Sequence, residues 1–220
     1  MLRYITPSTV IEFICFFSAI ICLRKDNSFV WRIMILYLFI TLIAECAGLY
    51  VAKQTHNNHW VYNIFLLLEA GFSNLMFAYL FNKYINYKPI ITGGLIVFIL
   101  LYIYELLNHG FFRYNALTYT VMSVILVLYS LYFYYLLITD NSYINLKYSP
   151  AFWWVVGVLF FYFGNTACNV FDDKLYSVMI FKKQHLSYFV FKGLNIILYS
   201  CWIYSFICRK WQTRKLETLL

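Results

Sequence analysis

Residues 30–52 read VWRIMILYLFITLIAECAGLYVA, and this stretch decides the fold. Only Arg32 and Glu45 carry charge in it. Wound as an α-helix at 1.5 Å per residue it is about 35 Å long, enough to cross the roughly 30 Å hydrocarbon core of a bilayer. It shows no strand-like alternation, and lipid tolerates only helices and closed barrels.

Six further runs of the same kind flank it, at about 7–23, 60–82, 89–107, 116–138, 151–170 and 186–208. The breaks between them are polar and basic, as in Arg24-Lys25-Asp26-Asn27-Ser28 and in Lys53 to Asn58. The three prolines, Pro7, Pro89 and Pro150, each stand at the start of a run, the helical position where a missing N–H costs least. The first run lacks a strongly basic leader and contains Glu12, so it reads as a first helix rather than a removed signal. The expectation is an all-α integral membrane protein: one seven-transmembrane-helix domain over 1–220, ending in a basic cytoplasmic tail at 209–220.

Composition agrees. Of 220 residues, 63% are hydrophobic and 12% charged, with a mean hydropathy of +0.70. A soluble domain is nearer half apolar and a quarter charged, and no soluble fold of this size hides that much apolar surface. The six cysteines lie in or beside apolar runs without CxxC spacing and read as packing residues. The net charge of +8 forms no basic stripe on a soluble element. It is assigned to the membrane rim and anionic lipid rather than to nucleic acid.

Lysine and arginine set the direction. One side collects Arg24, Lys25, Arg32, Lys83, Lys88, Lys147, Arg209, Lys210, Arg214 and Lys215; the other has Arg3, Lys53, Arg113, Lys174, Lys182 and Lys183. The richer side is expected to be cytoplasmic in the cell membrane, placing the N-terminus outside.

An internal register also emerges. Asp26-Asn27-Ser28-Phe29 recurs as Asp140-Asn141-Ser142-Tyr143, and the His59/Tyr62 pair recurs as His185/Tyr188. Extended, this register sets Glu69 opposite Asn195, Lys83 opposite Arg209 and Glu45 opposite Asn165. It describes a 3+1+3 parallel repeat with halves at 7–84 and 116–211 and a linker helix at 89–107.

Ionisable groups within a membrane are costly and usually face the bundle interior or a water-filled cavity. Tyr37, Thr41, Glu45 and Gly48 share a face of the second helix, and Tyr62, Glu69 and Ser73 one of the third. Tyr162, Asn165, Asn169 and Asp172 do so on the sixth, and Tyr188, Lys192, Asn195, Tyr199 and Trp202 on the seventh. From the helix rise, Glu45, Asn165, Lys192 and Asn195 lie about 8–13 Å below the outer surface and Glu69 about 14 Å. The ligand-binding residues expected are therefore Glu45, Glu69, Asn165, Asn169, Tyr188, Lys192 and Asn195. They should form an outward polar pocket with Lys192 near one or both glutamates and no comparable cluster in the inner half. Glu12 is expected at a solvated helix end, and His56 and His59 in a loop rather than a zinc site. No cofactor is expected.

A three-plus-one-plus-three order is similar to that of the SWEET and PQ-loop carriers, whose substrate site lies between two halves. This chain lacks their Pro-Gln dipeptide and has no proline within a helix. A lysine in the last of seven helices resembles the microbial rhodopsins, but Tyr188 stands where an acidic residue is expected four positions earlier. Neither resemblance carries residues over. No HExxH, GxSxG or paired-aspartate signature is present, so an enzyme is not expected. Two functions remain: a ligand-sensing or accessory subunit acting through a membrane or cytoplasmic partner protein, and a small-molecule transporter with its site between the halves.

Overall fold

The computed structural model describes residues 7–140, 145–171, 179–181 and 184–217. Arg3, Asn141 to Tyr143, Asp172, Lys174, Lys182 and Lys183, which entered the face, charge and repeat readings, lie outside the described residues. The chain forms α1 (Pro7–Leu23), α2 (Phe29–Thr55), α3 (His59–Phe81), α4 (Lys88–His109), α5 (Ala116–Thr139), α6 (Pro150–Val170) and α7 (Leu186–Glu217). From α2 to α7, six helices are long and apolar enough to cross a membrane; α1 is a shorter apolar helix of 17 residues. The expected runs match these helices to within a few residues, α7 apart. This is the architecture of a multi-pass helical membrane bundle.

The helix ends follow local chemistry. Asp26 follows α1 and accepts the Ser28 N–H at 2.7 Å. At the end of α2, His56 turns left-handed (φ 57°), and its N–H closes on the Ala52 carbonyl at 3.1 Å. Gly110 does the same for α4 with φ 73°, a conformation glycine adopts without strain. α6 opens on Pro150 behind Ser149, whose hydroxyl accepts the Phe152 N–H.

Neighbouring helices close a ring: α1 packs on α2, α2 on α3, α3 on α5, α5 on α6, α6 on α7, and α7 on α1. α4 stands outside, against α3 and α5, with Ile96, Ile99, Leu100 and Ile103 exposed on its outer flank. Trp31, Trp154, Phe77, Phe81, Phe133 and Phe206 are fully buried. Elsewhere large apolar side chains such as Phe17, Ile21 and Ile138 lie on the surface, as suits a protein whose solvent is hydrocarbon. The end carrying residues 56–58 and 110–115 is called upper here, and the end carrying 24–28 and 82–87 lower.

One expectation needs correction. Strands were not expected, yet Met179–Phe181 pairs antiparallel with Gln184–His185 just before α7. That apolar run is too short for a helix and is rich in strand-favouring residues. Residues 209–217 continue α7 as helix, because Arg, Lys, Gln, Leu and Glu favour helix and no glycine or proline interrupts them. At the lower rim two of the expected charges meet. Asp26, 4% exposed, accepts two bonds from Arg209, Nε at 2.6 Å and Nη2 at 2.9 Å. Thr213 donates to the same carboxylate at 3.4 Å, and the guanidinium lies 5.6 Å from the Trp31 ring centroid. A bidentate arginine–carboxylate pair is the strong form of such a contact, and here it ties the lower ends of α1 and α7.

Removing one partner of a buried ion pair strands the other charge and costs about 3–5 kcal/mol. Asp26→Ala should therefore lower the thermal unfolding midpoint of the purified protein well below that of the exposed Lys83–Asp140 pair variant Lys83→Ala, because Lys83 is 59% exposed. Equal midpoints for the two variants would show that Asp26 does not hold α1 to α7.

Candidate functional site

The ring encloses a cavity of about 330 Å³ in its upper half. Glu12 comes from α1, and Tyr37, Thr41, Ala44 and Glu45 from α2. α3 gives Tyr62, Phe65, Leu66 and Glu69, and α5 gives Tyr119. Phe161, Tyr162, Asn165 and Asn169 come from α6, and Phe191, Asn195, Leu198, Tyr199 and Trp202 from α7; the loop before α5 adds Tyr114. α4 contributes nothing to this wall. The spacing of the α7 residues at i, i+4, i+7, i+8 and i+11 is one helical face.

Local contacts fix the wall. The buried Glu69 carboxylate accepts the Tyr162 hydroxyl at 2.6 Å, joining α3 to α6. Asn165 donates through Nδ2 to the Tyr119 hydroxyl, joining α6 to α5. Asn169, at the exposed upper rim, donates to Thr120 Oγ1 at 3.2 Å, and Asn195 returns its amide to the Phe191 carbonyl at 2.9 Å. Tyr37 stacks on Phe72 with ring centroids 4.1 Å apart, and Trp202 lies parallel to Trp154 at 5.9 Å to form an aromatic floor. A side chain at Gly48 would meet the Tyr62 hydroxyl at 2.7 Å, so this glycine lets α3 lean its tyrosine against α2.

Two wall atoms are left unpaired: Oε2 of Glu12 and Oδ1 of Asn165, in side chains 6% and 2% exposed. A buried acceptor without a donor costs about 1–3 kcal/mol. Such atoms mark places where the fold retains a cost that packing alone would remove.

Five of the seven expected ligand residues (Glu45, Glu69, Asn165, Asn169 and Asn195) meet at this cavity, and Tyr188 and Lys192 do not. Lys192 sits at the edge of the α7 face, about 100° on from Phe191. Its ammonium rests 3.9 Å from the centroid of the Tyr188 ring, one turn up the same helix. The expected pairing of Lys192 with a glutamate is thus replaced by a cation–π contact. Glu12 departs in the other direction. Expected at a solvated end, it is buried in the wall, because α1 packs along α7 to close the ring. The wall therefore holds three carboxylates and, among the described residues, no lysine, arginine or histidine. Nor do any three His, Cys, Asp or Glu side chains come together as a metal-ligand group among the described residues.

The roof depends on residues that sequence reading passed over. Asn63, fully buried, donates to the carbonyls of Phe111 (3.0 Å) and Arg113 (2.8 Å) and accepts the Asn115 N–H at 3.1 Å. Tyr102 of α4 donates to the Asn63 carbonyl at 3.2 Å. Glu105 of α4 accepts the N–H groups of Leu117 (3.1 Å) and Thr118 (2.7 Å), capping the first turn of α5, where a carboxylate also meets the positive end of the helix dipole. These bonds hold the 110–115 loop so that Tyr114 hangs over the cavity. Burial, then the Glu69 and Glu105 carboxylates, push the Tyr114 phenol above its ordinary range, so it serves as a neutral hydroxyl. The one sequence cue was an acidic residue placed shortly before a helix start.

Asn63→Ala would leave three loop groups without partners. Amide hydrogen exchange at Asn115 should rise about tenfold or more, as expected for a loss above 1.4 kcal/mol, while Leu117, held by Glu105, and the lower half of α5 stay protected. Unchanged exchange at Asn115 would remove Asn63 as the roof anchor.

Comparison with protein-family models, with curated proteins and with solved structures finds no match to this chain.

Proposed function

We propose that the chain crosses the cell membrane seven times with its N-terminus outside, and that it is a ligand-sensing or accessory subunit rather than an enzyme. The carrying observation is the pair of orphaned acceptors, Glu12 Oε2 and Asn165 Oδ1, buried in the wall of a cavity built by six helices. A small ligand there satisfies groups on α1 and α6 and touches the whole ring. Its occupancy biases the α1–α7 packing, and α7 runs on about 22 Å below Trp202, its lowest cavity residue, to its basic lower end. Asp26 and Arg209 couple the same two helices at that end. A change in their relation is thus presented on the cytoplasmic side, where Lys210 can meet a partner protein or anionic lipid.

A second reading, a small-molecule carrier, has one observation in its favour: two of the pairs matched by the internal register, Glu45 with Asn165 and Glu69 with Asn195, line one cavity. Against it stands the aromatic floor of Trp154 and Trp202, with both residues buried.

Side-specific labelling separates the two. In a protein with the six native cysteines replaced, the background for every labelling test of this cavity, Asn195→Cys should react with a membrane-impermeant thiol reagent applied outside, and Ser205→Cys, below the floor, should not. A sensor is labelled at position 195 from outside alone, whereas a carrier that opens both ways is labelled from both sides. If Asn195→Cys is unreactive from either side, the cavity is not a ligand site.

A further inference from the structure

We propose that the cavity recognises a small organic ammonium ion that carries at least one N–H. The inference rests on the reading of this cavity as a ligand site and names its ligand class.

Charge points that way first. Glu12, Glu45 and Glu69 face one space whose described lining offers no basic side chain. Lys192, the lysine expected beside them, is engaged with the Tyr188 ring instead. Buried carboxylates need a positive partner or a set of donors. Tyr162 supplies one donor to Glu69 and the Tyr199 hydroxyl faces the Glu12 carboxyl, yet Oε2 of Glu12 is left without a donor. The second unpartnered atom, Asn165 Oδ1, is also an acceptor. Both gaps therefore call for donors, which an ammonium with N–H supplies together with the charge.

The dispersal of the carboxylates selects size. They reach the cavity from three different helices, α1, α2 and α3, and form no three-residue metal-ligand group. They build no compact shell for an inorganic cation, whereas an organic ion can place its ammonium among them and fill the remaining space with its alkyl part. A volume of about 330 Å³ corresponds to roughly eleven waters at 30 Å³ each, the low end of small-molecule pockets.

The aromatic lining completes the match. Tyr37 is locked by its stack on Phe72, and Trp202 by its parallel contact with Trp154 and its edge contact with Tyr199 at 5.8 Å. Rings held in place line the cavity without ordering cost and accommodate the alkyl part of the ion. A purely anionic ligand would set like charge against three glutamates with no basic side chain in the described lining to offset it.

The test uses the full-length Asn195→Cys protein in phosphatidylglycerol nanodiscs, which bring no ammonium headgroup. The rate of thiol labelling at position 195 is measured with n-butylammonium, n-butanol, butyrate and tetramethylammonium as competitors. The proposal expects saturable protection by n-butylammonium, about tenfold weaker protection by tetramethylammonium, and none by butyrate or n-butanol. Glu12→Gln and Glu69→Gln, added singly, should each weaken protection by n-butylammonium about tenfold while position 195 stays reactive. The glutamine at 69 still accepts the Tyr162 hydroxyl, so its loss of protection reports charge rather than misfolding. Protection by n-butanol equal to that by n-butylammonium, or no protection by either cation, overturns the ammonium inference and leaves the ligand-site reading standing. An unreactive position 195 overturns the site itself.

Discussion

Hydrocarbon offers no partner to a polar group, and most of what is distinctive in this chain follows from that single constraint. Its short polar side chains turn back on their own helices. Thr41 donates to the Tyr37 carbonyl, Asn74 to Ala70, Ser123 to Tyr119 and Ser130 to Leu126. What cannot be satisfied within one helix is drawn into the ring, where Glu69 meets Tyr162 and Asn165 meets Tyr119. The residues left over, Glu12 above all, define where the interior is unfinished.

Closure of α1 on α7 is the contact that makes an interior at all. Without it α1, the shortest of the seven helices, would sit at an open edge with Glu12 facing lipid. The pair is held differently at its two levels: close apolar packing along its length, a carboxylate in the cavity above, and the Asp26–Arg209 fork below. Charge at both ends of one helix contact makes the relation of α1 to α7 sensitive to what happens at either end. α4 plays the opposite part. It adds nothing to the cavity wall, yet through Tyr102 and Glu105 it fixes the loop that roofs it.

Depth was legible in the sequence and direction around each helix was less so. Counting residues from polar breaks located the helices and put Glu45, Glu69, Asn165 and Asn195 at one level, because rise per residue is constant. Facing depends on how neighbours rotate and tilt, which periodicity constrains only to within a quadrant or so. Lys192 shares a broad polar stripe with Asn195 but falls at its margin, and a long flexible stem let it settle on Tyr188. Asp26 and Arg209 each look like ordinary interfacial charges until α1 and α7 are seen to be neighbours. Asn63 and Glu105 act on backbone groups of a loop, and no side-chain pattern announces such a role. The short β-pair before α7 carried too few residues to register as a period of any kind.

The two bonds between Arg209 and Asp26 span 183 positions of chain, whereas Glu105 reaches its partners only 12 and 13 positions on. A polypeptide threaded into a bilayer from its N-terminus completes the α4–α5 unit as soon as both are inserted. It cannot complete the ring until α7 arrives. Until then Asp26 waits beside the membrane without its partner, and Glu12 lacks the helix that covers it. The cavity thus comes into being only with the insertion of α7, and a chain that stops short of α7 has no chamber, however well its first six helices have formed.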